Sequence, residues 1–244
     1  MRCYKCFRPK EFCLCSFATP QIDAGVKFIF LMHPKEAKRQ RTGTGRLAHI
    51  CLANSEILQG LEFSQNARLF DLLGDEKFLP VLMYPGNDAW NVNDENFVKL
   101  LLPKNSEENK NEKNSASAIS TRKILMPIII DATWFCSRKI IEHNVFLLRL
   151  PKLSFVKNYS SIFTFKHEPR PECVSTIETC YYLIKELQTA KIVAQNVDAE
   201  PLMTIFKKLI SDQLRAENER VQGLRPSTHG YDWKYNKIRE IPNF

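Results

Sequence analysis

Short apolar runs alternate with longer amphipathic stretches along this chain. Val26–Met32 (Val-Lys-Phe-Ile-Phe-Leu-Met), Phe78–Met83 and Ile124–Asp131 are dense in large apolar residues, too short for helices, and read as core strands. Phe146–Leu150 and Ile162–Phe165 read as two further strands. Apolar residues three and four apart predict helices elsewhere. One runs from about Gly45 to Leu58, with Leu47, Ile50, Cys51, Asn54 and Leu58 in register, Thr44 as its cap and Gly60 as its stop. Others cover Trp134–His143, Ser175 to about Gln195, and about Leu202 to Asn218. His33-Pro34 ends the first strand, because proline lacks a donor and fixes its own φ. Ser175 and Glu178 stand at the spacing of a capping box. Strands alternating with helices predict an α/β fold, with a mostly parallel sheet and flanking helices.

The pattern divides the chain. Residues 1–24 are a Cys-rich leader, 25–222 the main domain and 223–244 a basic, aromatic tail carrying His229, Tyr231, Trp233 and Tyr235, which we expect to pack on the core. Within the main domain, 104–121 has Ile119 as its one large apolar residue and reads as a solvated, disordered insertion. A length of 244 residues suits one domain with a small appendage. No apolar run approaches the roughly 18–20 residues that span a bilayer, and Met1-Arg2-Cys3-Tyr4-Lys5-Cys6 does not resemble a signal peptide. The expectation is a soluble, cytoplasmic protein with no membrane partner. A net charge of +8 favours a polyanionic partner, most often nucleic acid.

Four of the eight cysteines fall in the first fifteen residues. Cys3-x-x-Cys6 and Cys13-x-Cys15, separated by a six-residue loop, can wrap one tetrahedral Zn²⁺ with all four ligands from protein, which is a closed, structural site. Its basic loop either touches RNA or serves only as a staple. Cys51, Cys136, Cys173 and Cys180 are scattered in apolar surroundings and read as core thiols. After the first strand, His33, Lys38, Arg39, Arg41 and Arg46 surround a Gly-Thr-Gly run; they can clamp a nucleic-acid backbone or form a solvated basic face. The run Ile128-Ile129-Ile130-Asp131-Ala132-Thr133-Trp134 reads as a buried strand delivering a carboxylate, a hydroxyl and an indole at its C-terminal edge, where open α/β sheets build their sites, or as a core strand that simply ends in Asp as a helix N-cap. Tyr84-Pro85-Gly86 turns sharply after another core strand, and Gly86 lets a ligand approach the main chain. The helix start at Ser175, Thr176 and Glu178 favours an anionic group, or is an ordinary cap.

Together these motifs resemble the DTW-domain family, named for an Asp-x-Thr-Trp motif, here Asp131-Ala132-Thr133-Trp134. The leader Cys-x-x-Cys…Cys-x-Cys, His33-Pro34-x-Glu36, Tyr84-Pro85-Gly86 and Ser175-Thr176-x-Glu178 accompany it in order, over about residues 3 to 215. The resemblance implies a tRNA-uridine aminocarboxypropyltransferase, which transfers the 3-amino-3-carboxypropyl group of S-adenosylmethionine to N3 of a uridine and releases methylthioadenosine. It also implies a SPOUT-like fold with a deep knot, something that no pattern argument yields. On this reading Asp131 is the general base and Trp134 stacks on adenine or the target base. Leu82, Tyr84, Pro85, Gly86, Thr133, Ser175, Thr176 and Glu178 line the cofactor, and tRNA is the partner. The alternatives are a methyltransferase using the same cofactor, and a zinc-dependent RNA-binding module without enzymatic activity.

Overall fold

The computed structural model describes residues 1–39, 42–101, 122–164, 173–226 and 237–244. Five parallel strands, β1 (Phe28–Met32), β2 (Ser55–Gln59), β3 (Phe78–Met83), β4 (Ile124–Asp131) and β5 (Lys152–Leu153), form one sheet in the order β2-β1-β4-β3-β5. Seven α-helices accompany it among the described residues: α1 (Pro34–Arg39), α2 (Thr44–Cys51), α3 (Ala67–Gly74), α4 (Glu95–Leu101), α5 (Trp134–His143), α6 (Thr176–Thr189) and α7 (Glu200–Val221). The expected α/β architecture is therefore present, with its sheet parallel throughout.

Alternation along the central strands sorts their side chains onto two faces. Phe28, Phe30, Leu79, Val81, Leu125 and Ile129 pack with α2, α6 and α7; Ile29, Leu31, Phe78, Leu82, Met126 and Ile128 pack with α3 and α5. Both faces are covered, which is why β1 and β4 read as nearly continuous apolar runs. The leader joins the first of these cores through Cys6, Leu14, Ala18 and Ile22. The strand order also locates a crevice. Neighbouring strands β1 and β4 pass into helices on opposite faces, α2 on one and α5 on the other, and such a divergence opens a cleft at the C-terminal sheet edge.

Several sequence expectations give way here. The helix expected to reach Leu58 stops at Cys51, and β2 follows it. Ser55 Oγ donates to the carbonyls of His49 and Leu52, turning the chain, so Ile57 and Leu58 extend the sheet and Gly60 follows a strand. Gly43, not Thr44, is the N-cap of α2. Phe146–Leu150 is no strand but part of a 3₁₀ turn, Val145–Arg149. The cause is Asn144, whose buried amide donates to the carbonyls of Leu61 and Ile140 and accepts from the Phe63 N–H, pinning the chain into a tight corner. Ile162 and Phe163 form no strand, since the Ile162 N–H donates to the Glu178 carboxylate; Phe165 lies outside the described residues. α6 ends at Thr189 rather than near Gln195: Lys191 takes a left-handed φ of 58°, and the Gln188 amide donates to the carbonyls of Ala194 and Val197. α1 opens on Pro34, an N1 position where proline's missing donor costs nothing.

The 104–121 insertion, and His229, Tyr231, Trp233 and Tyr235 of the tail, lie outside the described residues. The tail's end touches α7: Arg239 and Asn218 exchange two hydrogen bonds, and Lys207 sits over the Phe244 ring. Cys51, Cys136 and Cys180 are buried as expected, while Cys173 is half-buried. Among the described residues, no helix is long and apolar enough to cross a membrane.

The edge strand β2 is tied to the sheet and to α3 by Glu56, which accepts from Arg68 at 2.6 and 3.0 Å and from Lys27 at 2.6 Å. The Arg68 hydrogen bonds, then Lys27, lower its carboxyl from 4.5 to about 2. A depressed folded-state value contributes stability above pH 4.5 that is lost as pH falls toward 2. Thermal melts should therefore show the native protein losing stability more steeply than Glu56→Gln across that window; parallel curves would refute the link.

Candidate functional site

Asp131 ends β4 and is 4% exposed. Three other elements converge on it. From β1, the His33 N–H donates to the Asp131 carbonyl at 3.0 Å, continuing the strand register in which Met32 faces Asp131. From α6, Thr176 Oγ1 donates to Asp131 Oδ1 at 2.7 Å. From α2, Gly45 presses against the carboxylate so closely that a Cβ at that position would lie 2.4 Å from Oδ2. Arg46 follows, half-buried, and feels the Asp131 charge. The carboxylate thus sits among the starts of two helices, whose dipoles favour negative charge. The third strand tip, of β3, flanks β4 on its other side: Leu82 is level with Ile128, and Tyr84-Pro85-Gly86 continues along the same edge.

The motif's remaining residues start α5. Thr133 is its N-cap and makes no capping bond with its side chain. Trp134 is 39% exposed, and Phe135 beside it is 58% exposed. His33 is buried, and its Nδ1 accepts from the Lys35 N–H at 3.1 Å. Burial first, then the charges of Lys35 and Lys139, push its imidazole below the usual value, so it stays neutral near pH 7.

Other expected residues are engaged locally. Ser175 and Glu178 form the capping box of α6. Glu178 is wholly buried and accepts from Ser175 N–H and Oγ, Ser161 Oγ and the Ile162 N–H, at 2.5–2.8 Å. Its carboxylate fixes the segment after β5 to the start of α6. Two turns on, buried Glu186 does the same with the N–H groups of Val156 and Lys157 and the Tyr159 hydroxyl. Leu82 is buried in the α3/α5 core, so its side chain packs rather than lines. Tyr84 is half-buried, Pro85 and Gly86 are exposed, and Asp88 folds back against Gly86 and pairs with Lys152. Lys38 is exposed on α1. The Arg39 side chain and Arg41 lie outside the described residues.

The four leader cysteines converge: their Sγ atoms lie within 4.8 Å of one another, with Cys3 to Cys15 at 3.6 Å and Cys6 to Cys13 at 3.8 Å. Ligands about 2.3 Å from a tetrahedral zinc stand about 3.8 Å apart. These separations match that geometry and are far longer than a disulfide. Hydrogen bonds from the Cys6 and Lys5 main chain lower the Cys3 thiol to about 6, whereas burial pushes the Cys15 thiol up, so without a metal the cluster favours a thiolate at Cys3 and not at Cys15. The four cysteines can hold zinc as a structural staple; bound there, it would close the leader's loop.

The leader also reaches the Asp131 cluster. Phe7, at a left-handed φ of 58°, lays its ring 3.9 Å from the Arg46 guanidinium. Arg8 donates to the Phe12 carbonyl and stands 3.9 Å from Asp212 of α7. Nothing in the sequence pointed to Phe7 or Glu186, and Gly45 stood out only as part of the Gly-Thr-Gly run, not as a partner of Asp131. A glycine in a helix start, where a capping residue alone would do, is the one signal that was present.

A family model described as DTW domain matches residues 1–214. No solved structure matches the chain.

Two outcomes follow from this geometry. Gly45→Ala drives a methyl into the Asp131 carboxylate and should cost about 1–3 kcal/mol, read as a lowered melting temperature; unchanged melting would mean the two groups separate freely. Purified protein should carry one zinc per chain by elemental analysis, and Cys13→Ser should lose both the zinc and thermal stability. Metal-free native protein with the same melting point as Cys13→Ser would leave the cysteines as packing alone.

Proposed function

Since the chain belongs to the DTW-domain family, whose members modify tRNA, we propose that it transfers the 3-amino-3-carboxypropyl group of S-adenosylmethionine to N3 of a tRNA uridine. The observation that carries this reading is the meeting of Asp131, His33 and Thr176 at one sheet edge, where the connections from β1 and β4 leave for opposite faces.

Uridine N3 holds a proton and attacks only once that proton leaves. Asp131 is the one carboxylate of the motif at the strand tip, and it takes the proton. The new bond joins N3 to the γ-carbon of the methionine arm. The bond from that carbon to sulfur breaks, and its electron pair stays on sulfur as methylthioadenosine leaves. A sulfonium is already activated, so the chain's task is orientation: the γ-carbon, not the methyl, must face the base. Thr176 holds Asp131 in place. The starts of α2, α5 and α6, with Arg46 beside them, suit the carboxylate of the amino-acid arm. The Tyr84-Pro85-Gly86 turn takes the adenosine side, and half-exposed Trp134 stacks on a ring. Ser175 and Glu178 act at one remove, by fixing the wall that follows β5.

Incubation with tRNA and S-adenosylmethionine should add the aminocarboxypropyl mass to a uridine and release methylthioadenosine; S-adenosylhomocysteine instead would make the protein a methyltransferase. Asp131→Asn preserves the contact with Thr176 and should slow transfer by about 10²–10⁴-fold while cofactor affinity by calorimetry holds within a few fold. Full activity in that variant would remove Asp131 from the role of base.

A further inference from the structure

The exposed face of α5 is not explained by packing. Cys136, Ile140 and Ile141 turn inward, while Trp134, Phe135, Arg138, Lys139, Glu142 and His143 face out. Phe135 is 58% exposed, unusual for so large an apolar side chain beside a covered core. Lys139 Nζ lies 4.8 Å from the Phe135 ring centroid, so a cation and an aromatic plane are held together in solvent. Across His33, α1 presents Lys35 and Lys38, both exposed. The charges of Lys35 and Lys139 both bear on the His33 ring, whose N–H meets the Asp131 carbonyl, so both basic faces lie near this strand tip.

We propose that Phe135, with Arg138 and Lys139, is a stacking platform for an unpaired nucleotide that flanks the reacting uridine. The proposal rests on the tRNA-modifying reading and adds to it the kind of RNA that is recognised: a single-stranded or loop segment, not a duplex. Bases inside a duplex cannot stack on a protein ring, whereas a splayed loop offers π-faces and phosphates together. The side chains suit that ligand. Two aromatics are interleaved with two cations, and no aliphatic residue accompanies them on this face, as a docked amphipathic protein helix would need. Glu142, a turn further along, is the acidic residue on the same face and sets the platform's limit at the helix start.

Fluorescence anisotropy with labelled tRNA, a single-stranded uridine-rich oligonucleotide and a duplex of equal length tests it. Phe135→Ala should weaken binding of tRNA and of the single strand by about five- to a hundredfold, leave duplex binding unchanged and leave the salt dependence unchanged. Phe135→Tyr should restore affinity. Arg138→Ala combined with Lys139→Ala should flatten the slope of log affinity against log salt by about 1.5. Melting temperature and S-adenosylmethionine affinity should match the native protein in each variant. Native affinity of Phe135→Ala for the single strand, or an equal loss on the duplex, overturns the platform. Release of methylthioadenosine by the native protein is scored separately. Its absence, with the binding pattern intact, sinks the transfer reading and spares the platform; its presence, with Phe135→Ala binding normally, does the reverse.

Discussion

The contact between the Asp131 carboxylate and the first turns of α2 and α6 organises the C-terminal edge of the sheet. It requires a glycine at position 45, because any side chain there would collide with the carboxylate, and a hydroxyl at Thr176, 2.7 Å away. It also requires β1 and β4 to be neighbours in register, so that His33 meets Asp131 through the main chain. Helices from one face of the sheet thereby close on a strand tip whose own helix, α5, leaves for the other face. A polar cluster is thus assembled from four separate parts of the sequence.

The leader belongs to this assembly and is not an ornament on it. Its cysteines share the core that α2 and α7 build, and Phe7 covers the guanidinium of Arg46, next to Gly45. Arg8 approaches Asp212 on α7. The first fifteen residues therefore meet Arg46, a cation that feels the Asp131 charge, through the Phe7 ring. A metal held by the four cysteines would be linked to the Asp131 cluster only through these contacts.

The sequence made the strands at Phe78–Met83 and Ile124–Asp131 legible because apolar runs between turn residues leave little choice. Trp134–His143 was equally plain from its spacing, and the cysteine pairs from theirs. What stayed hidden had one physical cause: side chains acting on distant main chain. Asn144 converts an apolar pentapeptide from strand to 3₁₀ turn by bonding residues some eighty positions away, and Ser55 ends a helix to begin β2. At the site, Asp131, Thr176 and the His33 stretch were recognisable as chemistry, but their meeting was not; only topology brings residues 33, 45, 131 and 176 together. Glu178 was legible as a cap, whereas the reach of its carboxylate to Ser161 and Ile162 was not.

The segment after β5 has almost no regular structure, yet its course is set by two carboxylates of α6 that bind mostly its peptide N–H groups. A peptide N–H is the same whichever amino acid carries it. Substitutions at Val156, Lys157 and Ile162 can therefore accumulate with little change in the path of the chain, proline excepted, whereas Tyr159 and Ser161 hold it through their hydroxyls. The information for that path is stored on the helix, and the residues that lend only their N–H groups are left open to change in polarity and size.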